Sequence, residues 1–102
     1  MNRTVVREIL TAHQDELQRL GVRSLALFGS TARGDAGPGS DIDLLIDLSR
    51  PMGAFALLDI KSYIEEILGH SVDLVTAQAL KPRIRAHVQG DLVAIFGPPP
   101  AA

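Results

Sequence analysis

The sequence contains no cysteine and carries no excess of positive charge. The absence of cysteine excludes a disulfide framework, a thiol nucleophile and a thiolate metal site. Ten basic and 12 acidic residues give a net charge of -2, so no strong positive field favours nucleic acid or an anionic membrane surface. No apolar run approaches the roughly 18 residues of a membrane span, and charged residues precede any apolar run at the N-terminus. We therefore expect a cytoplasmic protein with no direct binding to nucleic acid or membranes.

What remains is the composition of a small globular domain. The chain has 102 residues, of which 46% are hydrophobic and 22% charged. Such a length suits one domain with a thin core, whose stability can depend on a partner. We predict a single domain over residues 1–97, followed by a Pro/Ala-rich tail over 98–102 that cannot join a sheet because proline lacks the backbone N–H.

Hydrophobic periodicity and chain breakers divide this domain into alternating helices and strands. Helices are predicted over residues 3–20, 30–34, 54–68 and 82–89, and strands over 23–28, 41–47, 71–75 and 92–96. In helix 54–68 the apolar stripe is formed by Leu57, Leu58, Ile60, Ile64, Ile67 and Leu68. This order predicts an α+β fold (an α/β sandwich), with one small sheet and helices packed on it.

Two carboxylates share one face of the second predicted strand. Since strand side chains alternate between faces, Asp41 and Asp43 point the same way, ~7 Å apart, while Ile42 points into the opposite layer. Carboxylates placed side by side on a half-buried strand repel each other unless they are paired or bind a cation. Oxygen ligands without His or Cys suit Mg²⁺ or Mn²⁺.

Three further features complete a candidate site. Asp73 is an acid inside an apolar strand, and if that strand neighbours the second one, it completes a cluster able to hold two metal ions for phosphoryl transfer. Gly29 and Ser30 lie where a strand turns into a helix, so close backbone approach and helix-start N–H groups suit phosphate oxygens. Arg33, one turn later, is placed to meet anionic oxygens or to hold the loop.

These residues resemble the DNA polymerase β-like nucleotidyltransferase superfamily, whose signature is Gly-Ser followed after ten residues by Asp-x-Asp. Residues 28–34 (FGSTARG) and 40–45 (SDIDLL) are similar to the minimal nucleotidyltransferases, the MNT group, as are residues 68–76 (LGHSVDLVT) and 80–82 (LKP). The resemblance covers roughly residues 20–90.

The resemblance implies a polymerase β-like palm, a mixed sheet flanked by helices, that uses Mg²⁺ and a nucleoside triphosphate such as ATP. Small MNT proteins are usually encoded beside a HEPN-domain ribonuclease toxin, which they neutralise as antitoxins and can adenylylate on a tyrosine. Carried over, Gly29 and Ser30 bind the triphosphate, with Arg33 as an auxiliary position. Asp41 and Asp43 hold both metals, and Asp73 holds the catalytic metal and is a candidate proton acceptor.

Each feature also has a simpler interpretation. Gly29-Ser30 alone is typical of a turn, and Asp41-Ile42-Asp43 alone of a solvated strand edge; only the combination favours a catalytic site. Solvated or structural roles are expected for Asp35 and Asp47. A core-edge position is expected for His13, and a helix-edge position for Tyr63. Solvated-face or ligand-contact roles are both open for a basic patch of Lys81, Arg83, Arg85 and His87.

Two other functions remain open from the sequence. The chain could transfer a nucleotide to a small molecule, although the length leaves no room for the second domain that such enzymes usually carry. Alternatively, it could neutralise its partner by binding alone. We expect an active enzyme, because three clustered acids without metal would only reduce stability.

Overall fold

The computed structural model describes residues 2–34, 39, 41–77 and 92–98, with Ser30 and Thr31 described by their backbone. In chain order the elements are α1 (Arg3–Ala12), α2 (Gln14–Arg19), β1 (Val22–Phe28), α3 (Gly29–Arg33), β2 (Ile42–Leu48), α4 (Ala54–Leu68), β3 (Val72–Thr76) and β4 (Val93–Phe96). The predicted helix over 82–89, the basic patch of residues 81–87, Asp35 and residues 99–102 lie outside the described residues. The division at residue 97 stays a prediction.

The four described strands form one mixed sheet in the order β3-β2-β1-β4. Strand β1 pairs antiparallel with both β2 and β4, whereas β2 and β3 are parallel and joined by α4. A parallel pair needs such a crossover, because a tight turn can only reverse the chain. The predicted fold class, a small mixed sheet with flanking helices, is confirmed.

The N-terminal helix is interrupted, so the prediction of one helix over 3–20 is wrong in this respect. At His13 the backbone leaves the helical region (φ -106°, ψ 16°), and its N–H donates to the Leu10 carbonyl. The His13 Nδ1 atom lies 2.8 Å from the Ile9 carbonyl oxygen, which ties the side chain to its own helix. The ring meets Tyr63 edge-on, with centroids 6.1 Å apart, which confirms the expected edge positions of both residues.

The core lies between the helices and one face of the sheet. Its buried members are Val6, Leu10, Leu17, Val22, Leu25, Leu27, Ala32, Ile42, Leu44, Ile46, Ile60, Ile64, Leu68, Val72 and Phe96. Helix α4 has the predicted bounds and ends at Gly69, which adopts the left-handed conformation (φ 65°) that favours glycine. The predicted apolar stripe is wrong at Leu58, which is 54% exposed. At 100° per residue, Leu58 lies about 160° around the helix from buried Ile60.

Within the described residues, no helix has the length and apolar content to span a bilayer.

Candidate active site

The start of β2 brings two of the predicted carboxylates to one end of the sheet. Asp41 is exposed just before the strand, and Asp43 is half-buried as its second residue. Between them, Ile42 is only 2% exposed and belongs to the core. The alternation predicted from the sequence is therefore present, because burial of Ile42 in one layer directs its neighbours to the other.

The third carboxylate lies on the neighbouring strand. In the parallel register of β2 and β3, Asp43 is the partner of Asp73, and Ile42 is the partner of Val72. Adjacent strands are about 4.8 Å apart, so these two acids are cross-strand neighbours on one face. The sequence could place Asp73 here only on the condition that the two strands pair, and they do.

The charge at this end of the sheet is unfavourable for Asp43. Burial raises the pKa of the Asp43 carboxyl, and the negative charges of Asp73 and Asp41 raise it further, whereas the Arg33 guanidinium lowers it. Burial and the neighbouring negative charges both disfavour the ionised carboxylate, since burial removes water and the neighbours add like charge. The site is thus an acidic cluster in which the charges of Asp41 and Asp73 disfavour ionisation of Asp43.

Gly29 lies against this central carboxylate. Phe28 is the antiparallel partner of Asp43, so the next residue leaves the sheet directly beside it. Gly29 has φ 69°, and a Cβ at this position would overlap Asp43 Oδ2. Both the backbone conformation and the space require glycine. The structure therefore shows a close approach between Gly29 and Asp43, and the predicted approach of phosphate to this backbone stays a prediction.

Helix α3 follows as a single turn from Gly29 to Arg33. Ser30 is the second residue of α3, and Arg33 is the last. Arg33 is close enough to Asp43 for its charge to act on that carboxylate. Ala32, between Ser30 and Arg33, is 3% exposed and anchors α3 in the hydrophobic core. The structure thus brings Gly29, Arg33, Asp41, Asp43 and Asp73 to one end of the sheet.

The acidic cluster is a candidate site for a divalent cation. In the part of the chain that the structure describes, no three His, Asp or Glu side chains are close enough to hold one metal ion. The residue types nevertheless fit Mg²⁺ or Mn²⁺, which prefer carboxylate oxygens. Burial and the charges of Asp73 and Asp41 raise the pKa of Asp43 and Arg33 lowers it, so a bound cation would also favour the ionised carboxylate. Because Asp41 and Asp73 are exposed, their side chains can reorient toward a cation.

Two supporting contacts were not predicted from the sequence. Glu65 Oε2 accepts a hydrogen bond of 3.0 Å from the backbone N–H of Val72, which fixes the residue before Asp73. Arg3 Nη1 donates to the carbonyl oxygen of Ala32 at 2.9 Å and so joins α1 to α3. The first contact joins residues seven apart and the second joins residues 29 apart, and no periodicity in the sequence indicates either pair.

Asp47, at the other end of β2, has a structural position. It is 6% exposed, and its Oδ2 lies 3.6 Å from Arg23 Nε on β1. Of the two roles expected for Asp47, solvated or structural, the structure supports the second.

The fold, a mixed four-stranded sheet with flanking helices, is that of a polymerase β-like nucleotidyltransferase. The nucleotidyltransferase domain family matches residues 6–95, and the chain belongs to this family.

Known relatives agree with this assignment. The chain is similar to the protein adenylyltransferase MntA of Thermococcus cleftensis, with 39% identity over 89 residues that cover 86% of this chain and 90% of the relative. Its fold is similar to a structure solved as a minimal nucleotidyltransferase, with TM-score 0.78, 32% identity and coverage of 91% and 95% of the two chains. It is also similar in fold to an MNT antitoxin solved in complex with the tri-AMPylated HEPN toxin of Shewanella oneidensis. That match has TM-score 0.65, 17% identity and coverage of 90% and 73%.

Proposed function

We propose that this chain is a magnesium-dependent protein adenylyltransferase and antitoxin. In this proposal it transfers AMP from ATP to a hydroxyl group, that of a tyrosine, on a HEPN-domain toxin in the cytoplasm. The observation that carries the proposal is the position of Asp43, which lies between two further carboxylates and directly against the turn at Gly29. A cluster of this kind has no role in holding the fold together, because like charges at one strand end only oppose folding.

The carboxylates are the proposed metal ligands. Asp41 and Asp43 would hold two Mg²⁺ or Mn²⁺ ions. Asp73 would be a further ligand of the catalytic ion. When bound, the ions would neutralise charge that develops on the transferred phosphoryl group. Asp73 is also the proposed proton acceptor, since it is exposed and therefore within reach of a hydroxyl group from outside.

The turn after β1 is the proposed triphosphate site. The N–H groups of Gly29 and Ser30, at the start of α3, can donate to phosphate oxygens. The Ser30 hydroxyl is a further donor in this proposal. Arg33 would add a positive charge beside the phosphates, where it already offsets part of the acidic field at Asp43.

The proposed reaction exchanges one bond at the α-phosphorus of ATP for another. The acceptor oxygen forms a bond to the α-phosphorus of ATP, the bond from that phosphorus to the leaving oxygen breaks, and pyrophosphate departs. The acceptor hydroxyl loses its proton to Asp73, and the product is an AMP ester of the acceptor. Binding and orientation by the Gly29–Arg33 segment place the α-phosphorus for this attack.

The acceptor is proposed from the relatives. The MntA relative is named as a protein adenylyltransferase, and the Shewanella antitoxin was solved with a tri-AMPylated HEPN toxin. A HEPN protein encoded beside the present chain is therefore the acceptor to test.

Intact mass spectrometry tests this proposal directly. The chain, ATP, Mg²⁺ and the neighbouring-gene protein are incubated together, and we expect the partner to gain one or more AMP residues. The gain should be absent with Asp41→Ala or Asp43→Ala and retained with Asp47→Asn, which changes a carboxylate outside the cluster. Full neutralisation of the partner without any mass change would instead favour an antitoxin that acts by binding alone. Transfer to a small hydroxyl compound but not to the protein would favour the small-molecule alternative.

A further inference from the structure

A side chain from the first helix reaches the segment that carries the proposed triphosphate site. Arg3 Nη1 donates a hydrogen bond of 2.9 Å to the carbonyl oxygen of Ala32, in a partly buried position and across 29 residues of sequence. The acceptor is well placed to transmit this contact, because Ala32 is 3% exposed and packs in the core. The bond therefore joins two elements that the sequence places far apart.

Helix α3 needs such a contact. It has five residues, and an isolated single turn of helix is unstable because nucleation fixes several residues for one hydrogen bond. The last carbonyls of any helix lack partners within the helix, and Ala32 provides one of these. A guanidinium at this end supplies the missing donor and places a positive charge at the negative end of the helix dipole.

The position of Ala32 controls the groups on either side of it. Arg33 follows directly, and Gly29 begins the same turn against the Asp43 carboxylate. We propose that Arg3 is a positioning residue for the nucleotide: its bond to the Ala32 carbonyl holds α3 so that Gly29, Ser30 and Arg33 are arranged before ATP binds. This inference rests on the proposed function, which assigns these three residues to the triphosphate.

Arg7 offers a matched control. It lies one turn after Arg3 on α1, has the same charge, and borders the same cavity of about 580 Å³ together with Thr4 and Thr11. Among the described residues, Arg7 makes no hydrogen bond or ion pair, whereas Arg3 holds Ala32. Arg3→Met and Arg7→Met therefore remove equal charge from one helix face and differ in the bond to α3.

Steady-state kinetics of AMP transfer give the first test. Because a positioning contact acts on the arrangement that ATP binds, Arg3→Met should raise KM for ATP about 10-fold and change kcat less than about 3-fold. Arg3→Lys, which keeps a cationic donor, should recover part of this loss, and Arg7→Met should match the wild type. An unchanged KM in Arg3→Met, or an equal rise in Arg7→Met, would overturn the inference.

Hydrogen exchange gives a test that does not depend on catalysis. In the nucleotide-free full chain, the amides of residues 29–34 should exchange about 10-fold faster in Arg3→Met than in wild type or Arg7→Met, with α4 unchanged. Faster exchange over the whole chain would indicate general destabilisation and would contradict a positioning role. If the wild type transfers no AMP, the proposed function fails, but the exchange of α3 still decides whether Arg3 holds this segment.

Discussion

The two ends of β2 place the same residue type in opposite surroundings. Asp43 and Asp47 lie four residues apart, so both side chains leave the same face of the strand. Asp47 is 6% exposed, and Arg23 on the adjacent strand lies within 3.6 Å of it. Asp43 is half-buried, and its cross-strand partner is another acid, Asp73. One carboxylate is matched by a cation of the fold, and the other is opposed by like charge.

This difference separates a structural acid from a candidate functional one. A buried carboxylate with a cationic partner has its charge compensated within the fold, so its presence needs no further reason. A carboxylate whose pKa is raised by burial and by Asp73 and Asp41 opposes folding at neutral pH, with only partial relief from Arg33. Groups of this second kind are concentrated where a ligand or a reaction requires them.

The largest difference between the two ends is expected in AMP transfer when each carboxylate is replaced by an amide. Asp43→Asn should lower kcat/KM by more than about 100-fold, since loss of a group that only supports a metal ligand already costs about 10–100-fold. Asp47→Asn should stay within about 3-fold of the wild type, because Asp47 lies at the far end of the strand. Similar losses in both variants would show that the two ends do not differ in function.

The free energy of unfolding should show the reverse order. Asp47→Ala removes a buried hydrogen-bonding group and should destabilise the chain by about 1–3 kcal/mol in urea unfolding. Arg23→Gln should cost less, because the Arg23 side chain is 49% exposed and water can replace its contact. A neutral Asp47→Ala would mean that the contact with Arg23 contributes nothing to folding.

At the acidic end, removal of charge should stabilise the metal-free protein. Asp43→Asn should raise its free energy of unfolding at pH 7 by about 0.5 kcal/mol, the size of a cross-strand like-charge term. The pH dependence follows from the raised pKa of Asp43. The folded state binds the proton on Asp43 more tightly than the unfolded state does. Wild-type stability therefore falls as the pH rises from the pKa of Asp43 in the unfolded chain to its pKa in the folded chain. The advantage of Asp43→Asn should therefore vanish below the ordinary carboxyl pKa of 3.8.

Divalent metal provides the control for this variant. Mg²⁺ or Mn²⁺ with ATP should raise the melting temperature of the wild type and leave Asp41→Asn/Asp43→Asn unchanged, because a ligand stabilises only the state that binds it. Equal shifts in both proteins would contradict the assignment of the carboxylates to metal.

Much of the acidic end was predictable because it depends on local rules. Strand alternation places Asp41 and Asp43 together, and the bounds of α4 follow from its periodicity and from Gly69. The break at His13 is not predictable in this way, since the apolar spacing continues through it and only the backbone angles of His13 show the interruption. Leu58 departs from the predicted stripe because its angle around the helix, and not its apolar character, decides its exposure.

The contacts that hold the site could not be predicted in the same way. Arg3 to Ala32 and Glu65 to Val72 are hydrogen bonds between elements whose spatial relation is set by the whole fold. The partner of Asp47 depends likewise on the register of β1 with β2, in which Ser24 faces Asp47 and Arg23 lies one residue away. Sequence periodicity assigns residues to faces, but the register decides which residues meet.

Salt gives the smallest and most direct comparison of the two ends. The screening length falls from about 10 Å at 0.1 M to about 3 Å at 1 M, so added KCl weakens repulsion at Asp43 and attraction at Asp47 together. The wild type should therefore respond weakly. Asp43→Asn removes the repulsion and should lose a few tenths of a kcal/mol with salt, because the pair of Asp47 and Arg23 then dominates. Asp47→Asn should gain a similar amount for the opposite reason. Urea unfolding at 0.1 and 1 M KCl measures both slopes, and slopes of equal sign would show that the two carboxylates share one electrostatic environment after all.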